Sequence, residues 1–187
     1  MNNYERNYTL LSLCGLNCGL CPMHHMTNKE NSCPGCGGKG FQKCRLVTCA
    51  QNHGGIEYCY QCGEYPCSRY EGIDAFDSFI SHRNQLDNFR KVNENGLDAY
   101  KSELQKKIEI LNHLLENYND GRRKTFFCTA ANLLELEDIQ NVTANIDLKI
   151  ANCESELSLK EKALIAVSLI QSIADQKNIP LKLRRKR

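Results

Sequence analysis

The sequence has no hydrophobic run long enough to cross a membrane. None of its apolar stretches approaches the roughly 20 residues that a membrane-spanning helix needs. The first residues, MNNYERNYTLLSLCGL, contain neither a basic segment nor a long apolar segment, and so do not resemble a signal peptide. We therefore expect a cytoplasmic protein with no membrane among its partners.

The sequence also has little excess charge. Its 187 residues carry a formal net charge of +2 at pH 7, which does not favour a protein that coats nucleic acid or a membrane surface. The length is sufficient for one large domain or two small ones.

Large apolar side chains are scarce in the first third of the chain. The 54 residues from Cys14 to Cys67 contain six leucine, isoleucine, valine or phenylalanine residues. That number is too small for a self-sufficient hydrophobic core, so this segment needs another source of stability. The six residues are Leu16, Leu20, Phe41, Leu46, Val47 and Ile56.

The same segment is rich in cysteine, with ten of the twelve cysteines of the chain. Because thiols stay reduced in the cytoplasm, this pattern favours metal ligands over disulfides, which stay the less favoured alternative. The ten candidate metal ligands are Cys14, Cys18, Cys21, Cys33, Cys36, Cys44, Cys49, Cys59, Cys62 and Cys67.

Three Cys-x-x-Cys pairs favour zinc as the metal. The pairs are Cys18/Cys21, Cys33/Cys36 and Cys59/Cys62, and two intervening residues let both sulfurs turn onto one ion. A structural zinc site has an apparent binding free energy of roughly 10–16 kcal/mol, which becomes folding free energy. We expect about two zinc ions, which would hold the segment together without a conventional core.

Two iron–sulfur alternatives compete with zinc. The spacing of Cys14, Cys18 and Cys21 is that of radical S-adenosylmethionine enzymes. A full (β/α)₈ barrel needs about 250 residues of alternating strand and helix, whereas here the triplet is followed by more cysteines and then by helical patterns. A non-radical iron–sulfur cluster stays open, because thiolates suit either metal.

The spacing leaves the grouping of the ligands open. Sequential pairing assigns Cys18, Cys21, Cys33 and Cys36 to one ion and Cys44, Cys49, Cys59 and Cys62 to a second. Interleaved pairing is equally compatible with the sequence. Cys14 and Cys67 then replace one of these ligands or complete a third site with His24, His25 or His53.

From residue 73 onward the pattern becomes helical. We predict a cysteine-rich metal-binding domain over residues 1–72 and a helical domain with a basic C-terminal tail over residues 73–187. The fold class is mainly α, with a small irregular N-terminal domain held together by metal and a bundle-like C-terminal part. Helices are predicted from an Asp74 N-cap through Phe89, from Leu97 to Tyr118, over RRKTFFCTAANLL, over IQNVTANI, and after a capping box at Ser158.

The cysteine blocks resemble a known family. CGLNCGLC (14–21), CPGC (33–36), CRLVTCA (44–50) and GIEYCYQCGEYPC (55–67) follow the order of blocks in the bacterial and archaeal family catalogued as domain of unknown function 3795. The resemblance covers about residues 10–72. It implies a zinc-binding protein and names no substrate and no catalytic residue.

The functional expectation is a zinc-binding interaction module rather than an enzyme. A nucleophile built from Cys14 or Cys67 with a nearby histidine is disfavoured, because thiolates on zinc are already engaged by the ion. An unidentified protein or nucleic acid is the expected partner. A redox-active or iron–sulfur protein is the alternative, and an exchangeable metal ligand would favour it.

Overall fold

The computed structural model describes residues 4–39 and 44–185. In this part of the chain there is no β-strand, and the cysteine-rich segment consists of loops, turns, one α-helix and short 3₁₀ helices. The predicted fold class is confirmed: the protein is mainly helical, with an irregular N-terminal part. The α-helices are α1 (Arg45–Asn52), α2 (Gln85–Asn95), α3 (Leu97–Tyr118), α4 (Lys124–Leu133), α5 (Leu136–Ala151) and α6 (Leu159–Gln176).

The described residues form two compact units. The first contains residues 4–101 together with 184–185, and the second is Ser102–Leu183. The composition of the sequence changes near residue 72, which lies inside the first unit. The predicted domain boundary at that position stays a prediction.

The core of the first unit depends on α2. Phe89 of α2 is fully buried, and its ring lies against three tyrosines of the cysteine-rich segment. The ring centroids of Tyr58, Tyr60 and Tyr65 lie 6.2, 5.0 and 5.7 Å from that of Phe89. The segment with few apolar residues of its own is therefore packed on an aromatic side chain supplied from outside it.

Hydrogen bonds from α2 also hold the loop that carries the first cysteine. Gln85 Nε2 donates to the Cys14 carbonyl at 2.9 Å, and Asn88 Nδ2 donates to the Gly15 carbonyl at 2.8 Å. Gly15 has a φ of +93°, and a Cβ there would lie 2.7 Å from the Gln85 carbonyl oxygen. The close approach of the loop to α2 therefore requires glycine at this position.

The predicted helix that opens at Asp74 is wrong over its first two thirds, because α2 begins only at Gln85. In the preceding loop the Asp77 carboxylate accepts bonds from the Ser81 hydroxyl and the His82 N–H, at 3.1 and 2.9 Å. Such side-chain bonds compete with the helical backbone pattern. Phe79 is left 65% exposed.

The C-terminal tail is bonded to the same loop. The Asp77 N–H donates to the Arg184 carbonyl at 2.8 Å, and the Arg184 N–H donates to Asp77 Oδ2 at 2.7 Å. Over residues 178–185 the tail forms no strand. Lys186 and Arg187, the last two basic residues, lie outside the described residues.

The second unit confirms the predicted helices after Leu97. Helix α3 ends at Tyr118 before Asn119-Asp120-Gly121, as expected. Helix α4 covers most of RRKTFFCTAANLL, and α5 extends the predicted IQNVTANI at both ends. The capping box at Ser158 is confirmed, with the Ser158 N–H donating to Glu161 Oε2 at 2.9 Å.

Fully buried side chains from all four helices form the core of the second unit, among them Leu111, Phe127, Ile146 and Ile170. In the described part of the chain, no helix combines the length and the apolar character needed to span a membrane.

Candidate metal centres

Four cysteines line one small cavity in the first unit, which we name the Cys59 cavity: Cys49, Cys59, Cys62 and Cys67. Cys49 lies on α1, and Cys59 begins a 3₁₀ helix that ends at Gln61. The Cys62 N–H donates to the Cys59 carbonyl at 3.0 Å, so the pair is held in a tight turn. Cys67 directly precedes the next 3₁₀ helix, Ser68–Tyr70.

The cavity is about large enough for a single ion or water molecule. Its volume is about 20 Å³, and a cavity needs roughly 10–15 Å³ to hold one water molecule. Apolar side chains complete its wall, including those of Leu46, Ile56 and Tyr65. The cavity therefore offers four sulfurs around a space for one ion, and the His53 and Arg69 side chains also lie at its wall.

The other thiols of the Cys59 cavity act on the pKa of Cys59. Burial raises the pKa of Cys59 to about 11, the Tyr70 hydroxyl opposes that shift, and the nearby Cys49, Cys67 and Cys62 raise it further. Several thiolates in one buried cavity repel each other, so their joint ionisation needs a cation among them.

A second group of thiols surrounds Cys18, and we name it the Cys18 group: Cys14, Cys18, Cys21 and Cys36. Burial raises the pKa of Cys18, and the nearby Cys36, Cys14 and Cys21 raise it further. Burial likewise raises the pKa of Cys14 to about 12.

A hydroxyl lies against one sulfur of the Cys18 group. The Ser12 hydroxyl is 3.1 Å from the Cys14 sulfur, and its oxygen accepts the Leu16 N–H at 2.7 Å. Donors directed at sulfur stabilise the thiolate, which is the form that binds metal.

These two groupings differ from sequential pairing. Cys67 lies with Cys49, Cys59 and Cys62, where sequential pairing assigned Cys44. Cys14 lies with Cys18, Cys21 and Cys36, where it assigned Cys33. Cys44 is exposed at the start of α1, next to residues 40–43, which are not described.

The three histidines of the cysteine-rich segment each contact a backbone carbonyl, and His53 also contacts a sulfur. His24 Nδ1 lies 2.8 Å from the Cys33 carbonyl, and His25 Nε2 lies 2.7 Å from the Gly19 carbonyl. His53 lines the Cys59 cavity, with Nδ1 2.9 Å from the Cys49 carbonyl and 3.7 Å from the Cys49 sulfur. A ring nitrogen that donates to a carbonyl cannot take the proton of a thiol, so this pair is not arranged as a nucleophile and its base.

None of the twelve cysteines, all of which lie in the described part of the chain, forms a disulfide. Over residues 4–39 and 44–185, no three cysteine, histidine or acidic side chains already stand as the ligands of one metal ion. The ten cysteines predicted as ligands therefore stay a prediction. Cys128 is buried in α4, and the Cys153 thiol donates to the Lys149 carbonyl at 3.3 Å; both belong to the second unit.

Sequence reasoning missed Arg6, a cation buried beside the Cys18 group. Its side chain is 2% exposed, and its Nη1 donates to the Leu11 carbonyl at 2.7 Å. The guanidinium carbon lies 4.5 Å from the centre of the Tyr58 ring. Arg6 precedes the first cysteine by eight residues and has no metal-ligand spacing, so nothing in the sequence singles it out.

Comparison with known proteins confirms the family resemblance. Residues 10–72 match the sequence model of the family described as Protein of unknown function (DUF3795). No curated protein and no solved structure matches the chain.

Proposed function

We propose that the cysteine-rich segment is a structural zinc-binding module with two sites, the Cys59 cavity and the Cys18 group. The Cys59 cavity carries this proposal, because four cysteines from three separate parts of the segment line one space of single-ion size. Zinc in structural sites is bound tetrahedrally by four ligands, and four thiolates are a common set. Binding requires the thiols to turn toward one point.

The Cys18 group is the second proposed site. Burial raises the pKa of Cys14, Cys18 and Cys36, so a cation is needed to favour their thiolate forms, and the Ser12 hydroxyl lies 3.1 Å from the Cys14 sulfur. In each site four thiolates would bring four negative charges to a divalent ion. Cys33 and Cys44 are then additional ligand candidates, each close in sequence to a member of the Cys18 group or the Cys59 cavity.

A structural role is favoured over a catalytic one. Four protein thiolates complete a tetrahedral zinc site and leave no exchangeable position for a substrate or water. The ion would instead connect α1, the Cys59 turn and the Cys67 turn, which have few apolar residues of their own. We propose that the module serves in recognition of a protein or nucleic acid, in the reducing cytoplasm of a bacterial cell.

The alternative is an iron–sulfur or redox-active protein. The spacing of Cys14, Cys18 and Cys21 supports it at the Cys18 group. The single-ion size of the Cys59 cavity argues against a cluster there.

Elemental analysis of protein purified without oxygen tests the proposal. We expect about two zinc atoms per chain and no visible absorbance. Cys62→Ser should lose one zinc, whereas Cys153→Ser, at a cysteine outside both groups, should keep both. Iron with a visible absorbance band, or a folded protein without metal, would contradict the proposal.

A further inference from the structure

Arg6 is a buried cation whose hydrogen-bonding capacity is only partly used. Its Nε and Nη2 atoms are buried, and within the described residues neither has a hydrogen-bond partner. The nearest carboxylate oxygen, Glu57 Oε1, lies 4.0 Å from Nη2 on a side chain that is 43% exposed. A buried guanidinium without a close counter-charge is costly, so its position needs a second explanation.

The surroundings of Arg6 point to the thiol of Cys36. The Arg6 N–H donates to the Gly37 carbonyl at 3.2 Å, and Nη1 lies 3.4 Å from the Cys36 carbonyl. Both the backbone and the side chain of Arg6 thus contact the turn that carries Cys36. The Tyr58 ring lies against the guanidinium and limits its orientation.

A second unpartnered donor lies in the same place. The Tyr4 hydroxyl is buried without a hydrogen-bond partner among the described residues. Tyr4 and Arg6 are two residues apart in the chain and line the same pocket. Two neighbouring side chains therefore carry buried donors without a partner, and a thiolate would be a better acceptor for them than a neutral thiol.

We propose that Arg6 is the counter-cation of a metal-bound thiolate at Cys36 and thereby sets the affinity of the Cys18 group for its ion. This inference rests on the proposed zinc module. Four thiolates and one divalent ion leave a net charge of −2, and Arg6 reduces it to −1. Arg6 does not touch the ion; it acts by stabilising a ligand, as outer partners of metal ligands do.

The test compares the two zinc affinities of the full chain in wild type and variants, by competition with a chromophoric chelator. Removal of an outer-shell partner typically weakens metal affinity about 10–100-fold. Arg6→Met should weaken one of the two sites by that factor and leave the other unchanged. Arg6→Lys, which retains the charge, should weaken the same site less. Arg90→Met, at an exposed arginine of α2 in the same unit, should leave both affinities unchanged.

Cadmium NMR distinguishes a local effect on one metal site from a general loss of stability. With cadmium in both sites, Arg6→Met should shift one of the two resonances and Arg90→Met neither. If Arg6→Met does not fold, Arg6→Lys and Arg6→Gln are compared instead, and the lysine variant should bind more tightly at one site. Equal affinities of those two variants, equal weakening of both sites, or no weakening would overturn the inference. A wild-type protein without bound metal would overturn the zinc module itself.

Discussion

Replacing Phe89 by alanine should strongly destabilise the cysteine-rich segment, although Phe89 itself lies outside that segment. Phe89 is fully buried and contacts the rings of Tyr58, Tyr60 and Tyr65. Buried phenylalanine-to-alanine changes cost roughly 3–5 kcal/mol, and more where the site cannot collapse. We expect the upper half of that range, because the three tyrosines lie beside the cysteine turns and cannot move inward freely.

The assay is urea unfolding of the zinc-loaded protein, followed by tyrosine fluorescence. The chain has no tryptophan, and seven of its eight tyrosines lie in the first unit, so this signal reports that unit rather than the helices of the second. Phe79→Ala is the matched control, since Phe79 is 65% exposed and its loss should change the free energy of unfolding by about 0.5 kcal/mol or less.

Zinc release provides a second measurement on the same variants. Tyr65 contacts Phe89 and also lines the Cys59 cavity, so Phe89→Ala should speed the transfer of zinc to a chelator. If Phe89→Ala destabilised the first unit no more than Phe79→Ala does, the inference that α2 supplies the core of this segment would be refuted.

Three further predictions concern single side chains. Cys59→Ser should lose one zinc and Cys128→Ser none, measured by elemental analysis; equal loss would refute the assignment. Asp77→Asn should speed trypsin cleavage in the tail by about tenfold or more, since a hydrogen bond to a charged group contributes roughly 1.5–3 kcal/mol, and an unchanged rate would show that the tail bonds are weak. Ser158→Ala should destabilise the second unit by about 1 kcal/mol in calorimetry, whereas Ser168→Ala, within α6, should not; equal effects would argue against the capping box.

The helices of the second unit could be predicted because their signals are local. The apolar spacing from Leu97 to Tyr118 and the Ser158 capping box each lie within a few turns of chain, and the structure has both. The loop before α2 could not be predicted in the same way. Asp77 is bonded to Arg184, 107 residues further along the chain, and no local pattern contains that contact.

In the candidate site, too, the local features could be predicted and the long-range contacts could not. The spacing of the cysteines predicted which residues are candidate metal ligands, because the Cys-x-x-Cys pairs are local in the sequence. It left open whether Cys67 and Cys14 replace one of the sequentially paired ligands, because those groupings depend on how the turns cross. Arg6 could not be predicted for the same reason, because its contact with the Cys36 carbonyl forms only in the folded chain.

Zinc X-ray absorption spectroscopy on the purified protein tests most directly whether thiolates bind the ions that hold the first unit together. The account predicts sulfur as the sole ligand atom, four per zinc, at the roughly 2.3 Å distance of zinc thiolates. A spectrum with nitrogen or oxygen ligands in place of sulfur, or protein that keeps its fold with no zinc to measure, would contradict it.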